Sequence, residues 1–251
     1  MPKVTASKYR VDATWNDVPH LDEKTKSEML SGYPRHQRDA RASGIPKLGV
    51  GAIYTVPWEQ ASVAPFRIPE WYPRGYGLDV GWNWTGAVWG AWDRDTDILY
   101  VVSEYKVPEE RPVMHSAAIK ARGEWMVGMI DPAARGRSQN DGKQLLAQYR
   151  AHGLRIIPAD NSVEAGIFAV QERLETGRLK FFSNCRHLEF EYHRYHRDED
   201  DDGRSKIVKK DDHVLDALRY MAMGFKARFT TKPVVKTRDV RSLVGDVRAG
   251  Y

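Results

Sequence analysis

Three apolar segments between residues 75 and 106 constrain this chain more than any other feature. GYGLDVG, TGAVWGAWD and ILYVVSEYK each have the length and the β-branched and aromatic content of a strand. The polar DRDTD joining the second to the third predicts a tight antiparallel turn, so the segment opens as a β-meander. Downstream, Pro112 starts a helix running to about Arg122, WMVGMID is a short buried strand, and DGKQLLAQYRAHG is a helix stopped by Gly153. LRIIPAD reads as a further strand. Asn161, with Glu164 three residues on, makes a capping-box-like start for the helix VEAGIFAVQERLETG, which Gly177 stops. DHVLDALRYMAMGFKAR supplies a last helix. This order predicts an α/β domain: a mixed β-sheet, an antiparallel meander followed by parallel strands, with helices on both faces.

The flanks read differently. KYRVDAT is a short polar strand; Asp22 caps a helix ending near Gly32, and Pro34 opens a second ending at Gly44. Pro57, Pro65, Pro69 and Pro73 alternate with bulky aromatics, as in an extended connector pressed against a neighbour. We therefore divide the chain into a lead-in and connector (1–70), a main domain (71–229) and a mobile basic tail (230–251), the last carrying five Lys/Arg against two Asp. With 251 residues, 41% of them hydrophobic, the chain can build one core of ordinary size. No run approaches the roughly 18 apolar residues of a membrane span, and MPKVTASKYR lacks the apolar centre of a secretory signal. The single cysteine, Cys185, forms no internal disulfide, so a cytosolic protein is expected. A net charge of +5 biases the surface toward polyanions without naming one.

Three carboxylates carry the chemistry. Asp79 stands between Leu78 and Val80 in a strand with little access to solvent, where a charge is costly. Asp131 ends WMVGMID just before Pro132, and Asp216 lies in the last helix. If the first and fourth strands are neighbours, Asp79 and Asp131 meet at the sheet centre and the helix brings the third acid. Three close carboxylates repel one another and raise each other's pKa unless cations sit among them. Oxygen-only ligands suit Mg²⁺ or Mn²⁺, and two such ions roughly 3.5–4 Å apart can clamp a phosphodiester. On the helix, Val214, Leu218, Met221 and Phe225 share one side, while Asp212, His213 and Asp216 share the other. That polar side reads equally as the solvated face of an amphipathic helix, and Asp131-Pro132 as an ordinary turn.

GLDVG followed by a meander, IDPAARGRSQNDG after the fourth strand, and KKDDHVLDALRY together resemble the nuclease domain of the large terminase subunit of tailed bacteriophages, over about residues 71–229. The resemblance implies an RNase H-like fold of the resolvase and integrase type. It implies metal-dependent cutting of concatemeric double-stranded viral DNA during packaging, leaving a 3′-hydroxyl and a 5′-phosphate. By motif match, Asp79, Asp131 and Asp216 are the catalytic, metal-ligating acids for two Mg²⁺ or Mn²⁺ ions, with Asp212 and His213 as further candidate ligands. The implied partners are the packaging ATPase domain, the small terminase subunit and the portal, in the host cytoplasm. TWNDVPHL and HQRDARASGIPKLGVGAIY resemble the segment that ends the packaging ATPase. GKQLL at 142–146 lacks the upstream glycine and the hydroxyl residue of a phosphate loop, so this chain alone is not expected to hydrolyse ATP. A truncated chain or the product of a split gene is expected. The rival readings are a cellular resolvase or transposase of the same fold, and a non-catalytic docking module of the packaging motor.

DEDDDG at 198–203 starts like an EF-hand loop, but its twelfth place is Lys209, so calcium is discounted in favour of a hairpin tip between EFEYHRYHR and SKIVKK. Such an acidic tip would hold DNA off until the motor positions it. Lys206, Lys209 and Lys210, just upstream of the last helix, are candidate phosphate contacts. His187, His193 and His196 fit no zinc spacing and are read as surface or DNA-facing residues. Trp84 and Trp82 read as core packing before cleft lining, and Gly77 and Gly81 as room for a phosphate backbone beside Asp79.

Overall fold

The structure is a computed structural model that describes residues 3–5, 8–10, 22–31, 51–81, 83–132, 145–199 and 205–233. Strands β1 (Lys3–Thr5) and β2 (Lys8–Arg10) form a small antiparallel pair. Helix α1 (Glu23–Ser31) begins where expected, with Asp22 Oδ1 accepting the Thr25 N–H at 2.7 Å. A short helix α2 (Trp58–Ala61) leads into strand β3 (Ser62–Val63). The meander follows as β4 (Arg74–Val80), β5 (Trp84–Asp93) and β6 (Ile98–Pro108), all antiparallel. Its DRDTD turn bonds to itself: Asp93 accepts the Asp95 N–H at 3.0 Å and the Thr96 hydroxyl at 2.7 Å.

Helix α3 (Pro112–Lys120), strand β7 (Val127–Ile130), helix α4 (Leu145–Ala151) and strand β8 (Ile156–Pro158) come next, with β7 parallel to β4 and β8 parallel to β7. Helix α5 (Val163–Glu175), strand β9 (Leu179–Phe182), helix α6 (Arg186–Arg194), the hairpin β10 (Arg197–Glu199) and β11 (Ser205–Ile207), and helix α7 (His213–Arg228) complete the fold. The main sheet has seven strands in the order β3-β9-β6-β5-β4-β7-β8. Among the described residues no helix is long and apolar enough to cross a membrane.

Strand alternation divides the sheet into two faces. Tyr76, Leu78, Ala87 and Trp89 pack with Ile119 of α3 and Leu146 and Tyr149 of α4. Their sequence neighbours Gly75, Gly77, Gly86 and Gly90 meet α7 or the residue that follows it. A Cβ on Gly77 would lie 1.9 Å from the Ala217 carbonyl oxygen, and one on Gly86 would lie 2.7 Å from that of His213. The absence of side chains along this stripe lets α7 lie directly on the strands. Gly77 therefore makes room for a helix rather than for a phosphate, and a Cβ on Gly81 would meet the Trp84 carbonyl oxygen at 2.8 Å. The reading of Gly77 is thus corrected.

Three further expectations change. Strand β9 is absent from the sequence reading; it pairs in parallel with β6 and extends the sheet beyond the meander. RHLEFEYHR is a helix, not the flank of a hairpin: Leu188, Glu191 and Tyr192 turn inward at helical spacing, and the Tyr192 hydroxyl donates to the Val56 carbonyl at 2.7 Å. Ser162, not Asn161, stands at the α5 N-cap, because Asn161 Oδ1 accepts from Arg219 and Tyr220 instead. Upstream of the meander, Ile53, Tyr54 and Trp58 are buried, with the Trp58 ring stacked on Phe181 at 4.9 Å. The expected helix at 34–44, residues 200–203 of the acidic stretch at 198–203, Trp82 and the tail from 234 onward lie outside the described residues.

Candidate active site

The pairing of β4 with β7 sets the first two acids side by side. Their register runs to Leu78 opposite Ile130, and the Asp131 N–H then donates to the Leu78 carbonyl at 3.0 Å. Asp79 and Asp131 thus leave neighbouring parallel strands at the same end of the sheet. Asp79 shares its face with Gly75 and Gly77, the face covered by α7. The first turn of that helix arrives over Gly86, the cross-strand partner of Asp79, and places His213 Nδ1 3.0 Å from Asp79 Oδ2. Asp216 follows within the same turn.

The electrostatics match the placement. The Asp79 side chain is only 13% exposed. Burial pushes its carboxyl up to about 6; Asp216 and Asp131 push the same way, while the hydrogen bond from His213 pulls down. That bond in turn raises the His213 imidazole above its ordinary value, against the effect of burial. Burial raises the Tyr220 phenol, and Asp131, Asp216 and Asp79 add to the effect in that order. The three predicted acids therefore share one electrostatic environment.

The protein's own cations stand among them. Lys209 Nζ lies 3.3 Å from Asp216 Oδ2 and 3.4 Å from Asp212 Oδ2. Burial lowers the Lys209 ammonium, but Asp216 and then Asp212 outweigh it and hold the group above its ordinary value. Arg219 Nη2 reaches Asp216 Oδ1 at 3.1 Å. Asp212 Oδ2 is buried, and its contact is the ionic one with Lys209 at 3.4 Å. No three Asp, Glu, His or Cys side chains among the described residues converge as a ready-made cage for an ion. The donor chemistry nonetheless fits a hard divalent cation: carboxylate oxygens, with Asp79 raised by burial and by its acidic neighbours, and Asp212 Oδ2 buried beside Lys209.

Other candidates separate. Lys206 and Lys210 are exposed, whereas Lys209 turns to the acids. His187 is exposed, the His196 Nδ1–H donates to the Arg194 carbonyl at 2.6 Å, and His193 stands against Trp58. Trp84 is not core: it is exposed, with the Lys106 ammonium 5.1 Å from its ring centroid. Sequence reasoning passed over Arg219, which holds Asp216, and Glu191, which bonds the first turn of α7. For Glu191 a signal existed, a carboxylate three residues from Leu188 and next to Tyr192 on an inward helical face.

A family model described as the terminase RNaseH-like domain matches residues 76–224. The chain is 34% identical over 220 residues to the large terminase subunits of Enterobacteria phage LP7 and Salmonella phage P22; these alignments take in 84% of this chain, and 45% and 43% of those proteins. The chain thus spans less than half the length of the curated relatives it matches. The solved nuclease domain of the P22 large terminase superposes with a TM-score of 0.65 at 30% identity, covering 73% of this chain and 96% of that one. The large terminase nuclease of the thermophilic phage G20c, solved with bound magnesium, shares the fold at a TM-score of 0.53 and 14% identity, covering 70% and 98%. The mixed sheet with helices on both faces is thus an RNase H-like fold, as expected.

Proposed function

Because this chain belongs to the RNase H-like terminase family, we propose that it is a metal-dependent endodeoxyribonuclease that cuts concatemeric double-stranded viral DNA during genome packaging. The observation that supports this reading is the placement of Asp79 and Asp131 on neighbouring strands at one end of the sheet, with Asp79 pushed up to about 6 by burial and, in addition, by Asp216 and Asp131. A carboxyl raised by burial and by neighbouring acids, as Asp79 is, suits a site that recruits cations. The G20c nuclease, with its bound magnesium, lends support from the same fold.

Asp79, Asp131 and Asp216 would hold two Mg²⁺ or Mn²⁺ ions, with Asp212 and His213 bordering them. When bound, such ions supply Lewis-acid activation of water and neutralise charge building up around the phosphorus. The chain's own residues orient the site. His213 donates its Nδ1–H to Asp79 and fixes the rotation of that carboxylate. Arg219, almost wholly buried, holds one oxygen of Asp216 and leaves the other toward Lys209. Lys209 supplies positive charge to Asp212 and Asp216, and on release it joins exposed Lys206 and Lys210 as a contact for DNA phosphates. The packaging ATPase domain, the small terminase subunit and the portal are the proposed partners, in the host cytoplasm, with ATP hydrolysis supplied by the motor.

Supercoiled plasmid with Mn²⁺ tests the reading. The wild-type chain should nick and linearise it with little sequence preference, leaving 3′-hydroxyl and 5′-phosphate ends, and Asp79→Ala should be inert with an unchanged circular dichroism spectrum. Equal inactivity of both proteins would overturn the proposal in favour of a docking module.

A further inference from the structure

Glu191 lies on the inner face of α6 with 0% of its surface exposed. One carboxylate oxygen accepts from Lys106 Nζ at 2.8 Å, and that lysine side chain is itself only 7% exposed. The other oxygen accepts the backbone N–H groups of Val214 at 2.8 Å and Leu215 at 3.0 Å. A helix leaves its first amides without intrahelical acceptors, and the N-cap side chain ordinarily serves them. Asp212 occupies the N-cap of α7 but its side chain makes no such bond. Glu191 performs the capping from another helix.

The sheet beneath shows what this achieves. Asp79, Gly86 and Lys106 form one cross-strand row, Asp79 opposite Gly86 and Gly86 opposite Lys106. Directly opposed residues share a face, so the row reads acid, gap, base beneath α7. The first turn of α7 settles over the gap, with no clearance for even a Cβ on Gly86. On one side of the gap His213 bonds Asp79; on the other, Glu191 bonds Lys106 and the amides immediately after His213. The turn is tied at both ends of the row to the same three strands. A buried ion pair is weak evidence for stability, since an apolar pair of similar volume involves less desolvation. Its bonding to the turn that carries His213 and Asp216 is what distinguishes this one.

We propose that Glu191 and Lys106 are positioning residues of the hydrolytic site, clamping the first turn of α7 so that His213 stays against Asp79 and Asp216 stays beside them. The proposal rests on the nuclease reading for its effect on cleavage, while the clamp itself is a statement about α7. The charge of Lys106 is matched to the carboxylate and not to the amides, so a neutral acceptor works only when Lys106 is also neutral.

Amide hydrogen exchange and plasmid cleavage on the full chain test it together, using Glu191→Leu, Glu191→Gln, Lys106→Met and the double variant Lys106→Met/Glu191→Gln. In Glu191→Leu, exchange at Val214 and Leu215 should quicken at least about tenfold, with the middle of α7 unchanged, and kcat should fall about 10–100-fold with KM for DNA unchanged. Glu191→Gln and Lys106→Met should each lose activity, and the double variant should recover most of it, because the introduced carboxamide oxygen still accepts the two backbone N–H groups. The proposal is overturned by wild-type exchange at Val214 and Leu215 in Glu191→Leu, by uniform acceleration along the whole helix, or by a double variant no better than either single one. Should the wild-type chain cut nothing, the nuclease reading fails while the exchange pattern still decides the clamp.

Discussion

At the C-terminal end of α7, Asp97 in the β5–β6 turn receives Lys226 Nζ at 3.1 Å, Arg178 at 3.0 Å, Arg173 at 3.4 Å and the Trp92 indole N–H at 2.9 Å. At the N-terminal end, Asp79 receives His213 at 3.0 Å and faces the added repulsion of Asp216 and Asp131. Burial pushes both carboxyls upward. Hydrogen bonds from Lys226, Trp92 and Arg173 overcome it at Asp97 and hold that group at about 2, whereas at Asp79 burial wins and the value climbs to about 6. The same helix dipole that favours cations at the first end favours acids at the second. The contrast separates a carboxylate that ties the fold together from one left short of positive charge.

Removing the acid at each end should break the comparison in opposite ways. Asp79→Asn should abolish plasmid cleavage, a loss of about 1,000-fold or more, yet in EDTA it should melt no lower than wild type, because it relieves a buried charge. Scanning calorimetry beside the cleavage assay checks both halves. Gly77→Ala should harm both properties, since its Cβ would strike the Ala217 carbonyl and lift α7 from the sheet. A loss of about 1–3 kcal/mol in urea titration is expected, with cleavage reduced.

Asp97→Asn should lower stability by about 1–2 kcal/mol, discounted for partly exposed partners, while cleavage of plasmid stays at the wild-type rate. The sign follows from the folded value of about 2, below the ordinary 3.8. Stability from Asp97 is present above pH 4 or so and is lost as pH falls through about 2. The wild-type unfolding free energy should therefore drop more steeply between those values than that of Asp97→Asn. The smallest effect is expected from Lys209→Met, which removes the protein's own cation from Asp216 and Asp212. Mn²⁺ should bind it a few-fold more tightly by titration calorimetry, as competition for those oxygens is lifted.

Much of the sheet was legible from local sequence. The self-bonding DRDTD turn marks the meander, and the meeting of Asp79 with Asp131 could be anticipated on the condition that the first and fourth strands are neighbours, as β4 and β7 are. Helix α6 was not legible for a specific reason. In RHLEFEYHR, Leu188, Phe190 and Tyr192 alternate as in a strand, while Leu188, Glu191 and Tyr192 also fit a helix. The structure buries the second set and leaves Phe190 41% exposed. Strand β9 depends on a parallel partner some eighty residues earlier in the chain, a distance that no local pattern reports. The glycines were recognised as space, but what fills it, the backbone of α7, is decided by tertiary packing. Lys209 likewise reads from sequence as a phosphate contact and is found on the acids.

The central claim is that Asp79, Asp131 and Asp216 jointly bind divalent cations, and crystals soaked in Mn²⁺ test it most directly. Anomalous difference peaks bounded by these three side chains, with Lys209 displaced from Asp216, are the predicted result. Peaks that avoid the cluster, with Lys209 still on Asp216 at saturating Mn²⁺, would contradict it.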